Sequence, residues 1–237
     1  MFERPHHQRI ALLLGVLDAD LLRQLHCLFG GGTAMALCFG EYRESVDVDF
    51  LVSDEAGYRE LRQRVRGGEG ISALVRAGTQ VPPALQDVRV DQYGIRTWVR
   101  VMDTPIKFEI INEGRITLEA PRPQDEVCGV ATLTALDMAA SKLLANSDRG
   151  LDDSTFNRDV IDLAMMVPSR PLLGRALEKS HAAYGGDVRR DLVRAMDRLR
   201  TREGWLERCM QAMAMDVPKA LVWQRLRSLE QKLGQVG

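Results

Sequence analysis

FGGGTAMALCFGEYRESVDVDFLV, residues 29–52, is the stretch from which the fold and the chemistry are read. Successive side chains of a strand point to opposite faces, so across 46–50 Asp47 and Asp49 project together while Val46, Val48 and Phe50 supply the buried side. Two carboxylates held this close repel each other unless a cation lies between them. An oxygen-only pair suits a hard ion such as Mg²⁺, whose other ligands are waters and substrate phosphates. Ahead of the pair, Gly30, Gly31 and Gly32 lead into Thr33, an N-cap residue type, and an apolar helix of about two turns over 34–39 that stops at Gly40. A helix start presents unpaired N–H groups and the positive end of the dipole, and glycines let phosphate oxygens come close. Alone, the glycine triplet is an ordinary turn and Asp-x-Asp an ordinary solvated edge. In this order and about fifteen residues apart, they read as a metal-dependent nucleotide site.

The segments GGTAMAL and YRESVDVDF also resemble the GG(S/T) plus Asp-x-Asp signature of the DNA polymerase β type nucleotidyltransferase superfamily. The form with Arg43, Ser45, Asp47 and Asp49 resembles the AbiEii/AbiGii toxin family, the nucleotidyltransferase half of type IV toxin–antitoxin and abortive-infection systems, which includes the mycobacterial MenT toxins. A second block, LDMAASKLLANSDRGLDDSTFNRDVIDLAMM over 136–166, is similar to that family's helix carrying Asp, Ala and Lys, followed by an Arg and then Arg-Asp-x-x-Asp-Leu. No signature matches in the last seventy or so residues.

The resemblance implies a nucleoside triphosphate substrate, with Gly31, Gly32, Thr33, Arg43, Ser45 and Lys142 on the nucleotide and Asp47 and Asp49 on Mg²⁺ or Mn²⁺. It implies a catalytic role for Asp159, with Asp162 as the runner-up in a packing or capping role, and lesser phosphate contacts for Arg149 and Arg158. Biologically it implies a growth-arresting toxin with an antitoxin partner, acting on RNA such as tRNA. Acceptors that are small molecules or proteins, and a non-catalytic nucleotide- or RNA-binding module, are the alternatives.

Outward from this centre, residues 8–28 have helical spacing, with Leu12, Leu13, Val16, Leu21, Leu22 and Leu25 on one stripe. Residues 54–66 read as an amphipathic helix capped by Ser53 or Asp54 and burying Tyr58, Leu61 and Val65, broken at 67–70. Three strand-like runs follow at 88–90, 95–101 and 106–111. In the third, Lys107 and Glu109 share one face and Phe108 and Ile110 the other, so Glu109 is placed to be a third carboxylate beside the aspartate pair, with Asp103 and Glu113 as competitors and a surface Lys–Glu pair as the plain alternative. The superfamily has an acidic residue on such a strand, and the resemblance implies proton transfer or second-metal binding for it.

Pro121 and Pro123 mark a break, and from Thr134 onward the period is 3.6. The expected class is therefore α+β: a polymerase β-like nucleotidyltransferase domain with a mixed central sheet over 1–125, then a helical domain over 126–237 that contributes its Lys and Asp to the active site. Lys142 falls beside the packing stripe of Leu136, Ala139, Ala140, Leu143 and Leu144. In 187–200, Val188, Leu192, Ala195, Met196 and Leu199 form one stripe and Arg190, Arg194 and Arg198 a basic ridge.

The 237-residue, 26.5 kDa chain is long enough for one large domain or two small ones, and its 45% hydrophobic and 27% charged content is that of ordinary globular proteins. No apolar run approaches the ~20 residues of a membrane span and the start lacks a signal-peptide core, so the expected location is the cytoplasm, without a membrane partner. Net charge is −1, yet residues 171–237 hold thirteen Lys and Arg against eight Asp and Glu, a balance that fits either a solvated helical surface or an RNA partner. Cys27, Cys38, Cys128 and Cys209 lack ligand spacing and read as structural thiols. The four histidines, with neither ligand spacing nor a nucleophile partner, receive no chemistry.

Overall fold

The computed structural model describes residues 2–236 and divides into two compact units, Met1–Cys38 with Ser45–Thr134, and Phe39–Glu44 with Ala135–Gly237. The first holds α1 (Pro5–Val16), α2 (Ala19–Gln24), β1 (Leu28–Gly30), α3 (Gly31–Cys38), β2 (Val48–Val52), α4 (Glu55–Arg64), β3 (Arg89–Val90), β4 (Gly94–Val101), β5 (Thr104–Asn112), β6 (Glu126–Val127) and β7 (Val130–Ala131). Five strands form one sheet in the order β1-β2-β5-β4-β3, and β6 and β7 form a separate pair. β2 runs parallel to β5 and the other pairings are antiparallel, which makes the sheet mixed.

The pleat separates the buried core from the face that carries Asp49 and Glu109. On one face Phe29, Phe50 and Phe108 are fully buried, with ring centroids 5.5 and 5.7 Å apart in tilted contacts that favour aromatic edges over faces. Val48, Ile95, Val99, Ile106 and Ile110 fill the same interior. This locks the strand register, because a one-residue slip would turn every one of these side chains to the opposite face.

Three local expectations are corrected. The stretch 8–28 forms two helices and a strand: Leu17 has extended backbone, Asp18 caps α2 by accepting from Leu21 N, and Leu12 is 53% exposed. Val46 lies outside the buried face, at 48% exposed, because β2 begins only at Val48. Thr33 sits inside α3, so its hydroxyl caps nothing. By contrast α4 is capped by Asp54, which accepts from Gly57 N at 2.6 Å, and it buries Tyr58 and Leu61, with Val65 buried just beyond. The chain at 67–70 winds on as a π turn and a 3₁₀ turn.

The second unit is helical: α5 (Ala135–Arg149), α6 (Arg158–Met166), α7 (Arg170–Tyr184), α8 (Asp187–Thr201), α9 (Trp205–Ala212) and α10 (Lys219–Gln235). α8 buries Val188, Leu192, Ala195, Met196 and Leu199, while Arg190, Arg194 and Arg198 each meet an aspartate, Asp187, Asp191 and Asp153. No helix among the described residues is long and apolar enough to cross a membrane. All four cysteines are free; Cys27 and Cys209 are buried, but Cys38 is exposed.

Candidate active site

In the first unit several of the candidate site residues lie along one transverse row of the sheet. Gly30 pairs with Asp49, Asp49 with Glu109, and Glu109 with Arg96, so their side-chain positions lie on the same face at the spacing of adjacent strands, about 4.8 Å. Gly31 continues from β1 directly into α3 with φ +68°, and a Cβ there would stand 2.3 Å from Asp49 Oδ2. Only glycine meets both conditions, and the result is that the start of α3 lies against the Asp49 carboxylate. For Gly31→Ala we expect a left-handed-backbone cost of about 1–2 kcal/mol. The carboxylate must also shift, so the loss of nucleotidyl transfer should exceed what the lowered melting temperature explains; normal transfer by the folded variant would show that this close approach is dispensable.

Asp47 precedes β2 by one residue, and its backbone is tied down on both sides. Thr33 Oγ1 donates to the Asp47 carbonyl at 2.5 Å and lies 2.9 Å from Ser45 Oγ. Ser45 N donates to His7 Nε2 at 3.2 Å, and His6 Nε2 bonds the Val46 carbonyl at 3.0 Å. Thr33 and Ser45 thus hold the segment that carries the aspartate pair. The two histidines do the same, a role no sequence motif announced because it depends on α1 meeting 45–46 across about forty residues.

Of the three candidates for a further carboxylate, only Glu109 stands in register with Asp49. Its oxygens accept from Arg96 Nε at 2.9 Å and Lys107 Nζ at 2.5 Å. Asp103 lies at the exposed β4–β5 turn beside Arg9, 3.3 Å away, and Glu113 is clasped by Arg115. No group of three or more His, Cys, Asp or Glu able to hold a metal occurs among the described residues. The donor chemistry nevertheless suits Mg²⁺, which is commonly held by one or two carboxylates plus substrate phosphates; Glu109 would first have to exchange its cations.

In the second unit, the residues of the second sequence block form a buried charge network. Asp162, fully buried, accepts from Tyr42 Oη at 2.6 Å and from Arg43 Nε and Nη2 at 2.7 and 2.9 Å, and it meets Lys142 Nζ at 2.6 Å. Asp159 meets Lys142 Nζ at 3.1 Å and accepts a bidentate pair from Arg149 at 2.8 and 3.0 Å. Lys142, expected at the side of the stripe, is buried between the two aspartates. Arg43 spends its remaining contact on the Glu44 carbonyl, so its donors are engaged within this unit. Asp162 is thereby a hub of the network, a place that its sequence reading as a packing or capping residue understated.

Burial opposes ionisation of both aspartates, but Arg43 and Lys142 hold the Asp162 carboxyl well below the usual range, and Lys142 and Arg149 lower that of Asp159. Burial works against the Arg43 charge as well, and Asp162 outweighs it, pushing that pKa up. Carboxylates with depressed folded-state pKa values stabilise above their unfolded value of about 3.9 and lose that contribution as pH falls. Helical ellipticity followed through thermal melts should therefore show a steep fall in melting temperature below about pH 4. The fall should be shallower in Asp162→Asn, and identical slopes for the two proteins would remove this aspartate from the acid response.

The chain matches the family described as nucleotidyl transferase AbiEii toxin, type IV TA system, over residues 15–231. A crystal structure from H. pylori, named as a candidate nucleotidyltransferase, aligns with TM-score 0.53 at 16% identity, covering 99% of this chain and 96% of that one. JHP933 from Helicobacter pylori aligns with TM-score 0.47 at 19% identity, covering 99% and 97%. No curated protein matches. The first likeness shows the polymerase β-like α+β fold, and the family match spans most of both units: this chain belongs to the AbiEii nucleotidyltransferase toxin family.

Proposed function

We propose that this nucleotidyltransferase is divalent-metal-dependent, moves a nucleoside monophosphate from a nucleoside triphosphate to an acceptor hydroxyl on RNA such as tRNA, and serves as a toxin restrained by a cognate antitoxin in the cytoplasm. The observation that supports the reading is the register row of Gly30, Asp49 and Glu109 on one sheet face, with Gly31 at the start of α3 close against Asp49. Asp47 and Asp49 would hold Mg²⁺, which would neutralise phosphate charge and orient the triphosphate. Gly31, Gly32 and Thr33 offer the α3 start to phosphate oxygens.

The acceptor oxygen attacks the α-phosphorus, the bond from that phosphorus to the bridging oxygen breaks, and pyrophosphate leaves with the electron pair. Glu109 takes the hydroxyl proton once its cations turn to the phosphates. Asp159 is a weak proton acceptor because its pKa is depressed, so its task is to hold Lys142 and Arg149 in place. Lys142 supplies positive charge for the phosphates, and Ser45, beside Thr33, holds the segment that leads into Asp47. Phosphoryl transfer rests mainly on such positioning and charge compensation.

The test is to incubate the purified chain with each α-labelled nucleoside triphosphate, Mg²⁺ and total RNA. Label in RNA supports the proposal. Label in a small molecule or in protein changes the acceptor, and binding without transfer in any arm overturns the catalytic reading.

A further inference from the structure

On the outer face of the sheet, Trp98 stands without a partner. β4 alternates, with Ile95, Thr97, Val99 and Val101 buried and Arg96, Trp98 and Arg100 on the other side. The indole is 36% exposed, and among the described residues its ring meets no cation or aromatic ring and its N–H makes no hydrogen bond. Trp205 shows the opposite treatment: it is 2% exposed, has Arg202 4.1 Å from its ring centroid and donates to Asn157. A single exposed ring is ordinary on a protein surface, and its neighbours decide whether it has a task.

Those neighbours are cations. Across the ladder Trp98 faces Lys107, and Arg96 and Arg100 flank it two residues away on the same side. Arg89 continues the face, in register with Arg96. The acids here are Glu109, which accepts from Arg96 and Lys107, and Asp91, 3.1 Å from Arg96 and 3.7 Å from Arg89. Asp103, at the β4–β5 turn, meets Arg9, and Asp87 is exposed ahead of β3. Arg100 is exposed and has no ion pair among the described residues. Immediately around the indole, three cations thus stand against the Glu109 carboxylate, and Arg100 is uncommitted.

Register fixes where this strip lies in the first unit. Gly30, Asp49, Glu109 and Arg96 form one row, so β4 is on the side of Glu109 away from the α3 start. Trp98 is two strands across and two residues along from Asp49, about 12 Å at about 4.8 Å per strand and about 3.3 Å per residue. In phosphoryl transfer the attacking and leaving oxygens are roughly in line. With the leaving pyrophosphate at the α3 start, the attacking hydroxyl arrives from the β5–β4 side, past Glu109. Asp47 and Asp49, across β5, are offset by the metal they would hold.

We propose that this β4–β5 face is where a single-stranded RNA end enters, the base just upstream of its terminal nucleotide stacked on Trp98 and its backbone phosphates on Arg100 and Lys107. The placing of the RNA end rests on the nucleotidyl-transfer reading; the stacking face itself does not. A flat ring among cations fits single-stranded nucleic acid, because every base has a π face and every linkage a negative charge. Bases within a duplex are already stacked and offer the indole no free face. An apolar protein surface laid here would enclose Arg100 without a counter-charge, which phosphate supplies.

The experiment measures binding of a short labelled single-stranded RNA to the full chain by fluorescence anisotropy, without nucleotide, over a range of salt concentrations. Wild type should bind it more tightly than a blunt duplex of the same length. Trp98→Leu, with folding checked by thermal melt, should weaken it about tenfold, and Trp98→Phe should recover most of the loss. Arg100→Gln should also weaken binding and reduce the slope of log affinity against log salt by about 0.7. Trp223→Leu, which removes a half-buried tryptophan from α10, should change nothing. In transfer assays Trp98→Leu should raise KM for RNA and leave that for the nucleoside triphosphate unchanged. Equal single-strand affinity in wild type and Trp98→Leu, or a rise in the nucleotide KM instead, overturns the proposal even where label still enters RNA. Wild type that binds no RNA overturns it as well and leaves the face to a protein partner. Trp98-dependent RNA binding in a chain that transfers no nucleotide sustains the stacking face and refutes the nucleotidyl-transfer reading.

Discussion

Asp49→Asn should lower nucleotidyl transfer by about a thousandfold with the fold intact, the largest effect on activity expected of a single substitution here. The size follows from position: Asp49 is the carboxylate close against the start of α3 and in register with Glu109, so in the proposed mechanism it stands between the helix start offered to phosphate and the proposed proton acceptor. Asparagine keeps the shape and loses the negative charge, so ion affinity falls while the β2 register is untouched. Transfer kinetics at saturating nucleotide, over a range of Mg²⁺ concentrations, separate the outcomes. A metal-ligand role predicts a raised Mg²⁺ requirement and a reduced maximal rate, whereas a merely structural role predicts a lowered melting temperature with near-normal rate. Full activity in Asp49→Asn would remove the residue, and the metal pair with it, from the mechanism. Asp47→Asn should be severe for the same reason, since Asp47 is held at the mouth of β2 by Thr33 on its carbonyl.

The central features were legible because they are local. Glycines next to an apolar helix, and strands with Asp49 and with Lys107 and Glu109 opposite the core face, are periodicities within ten residues, and β2, β5 and the α5–α6 block follow them, whereas Asp47, read on the same strand as Asp49, lies just before β2. What escaped the sequence depends on residues distant along the chain. The 8–28 stripe breaks at Leu17, two residues after Gly15, where the backbone bridges Val75 far along the chain. Thr33 carries the residue type of a cap, but it lies within α3 and its hydroxyl bonds the Asp47 carbonyl outside that helix. Lys142 reads as a phosphate ligand beside the packing stripe, and nothing local shows that Asp159 and Asp162, one helix later, enclose it. Arg43 reads as a phosphate ligand beside the aspartates, and nothing within its own motif reveals that it pairs with a carboxylate 119 residues away.

Asp162→Ala should cost about 3–5 kcal/mol, the largest stability loss expected from the charge network. Three donors converge on this fully buried carboxylate, and each is left with an unmet bond when it goes: the Tyr42 hydroxyl, the Arg43 fork and one contact of Lys142. Lys142 keeps Asp159, but Arg43 keeps only the Glu44 carbonyl, which leaves a guanidinium enclosed without its counter-charge. For a chain of this size such a loss lowers the melting temperature by roughly 10 °C. The same geometry predicts non-additivity. In Arg43→Met/Asp162→Leu the buried charges leave together, and the double variant should be more stable than the sum of its singles, because the destabilising element is an uncompensated ion more than the absent bond. The cycle also separates two tasks for Arg43. If its guanidinium serves chiefly the fold, Arg43→Met melts early and Asp162→Leu restores much of the stability. A role on phosphate instead predicts a single variant that melts near wild type, transfers poorly, and gains nothing from the second change.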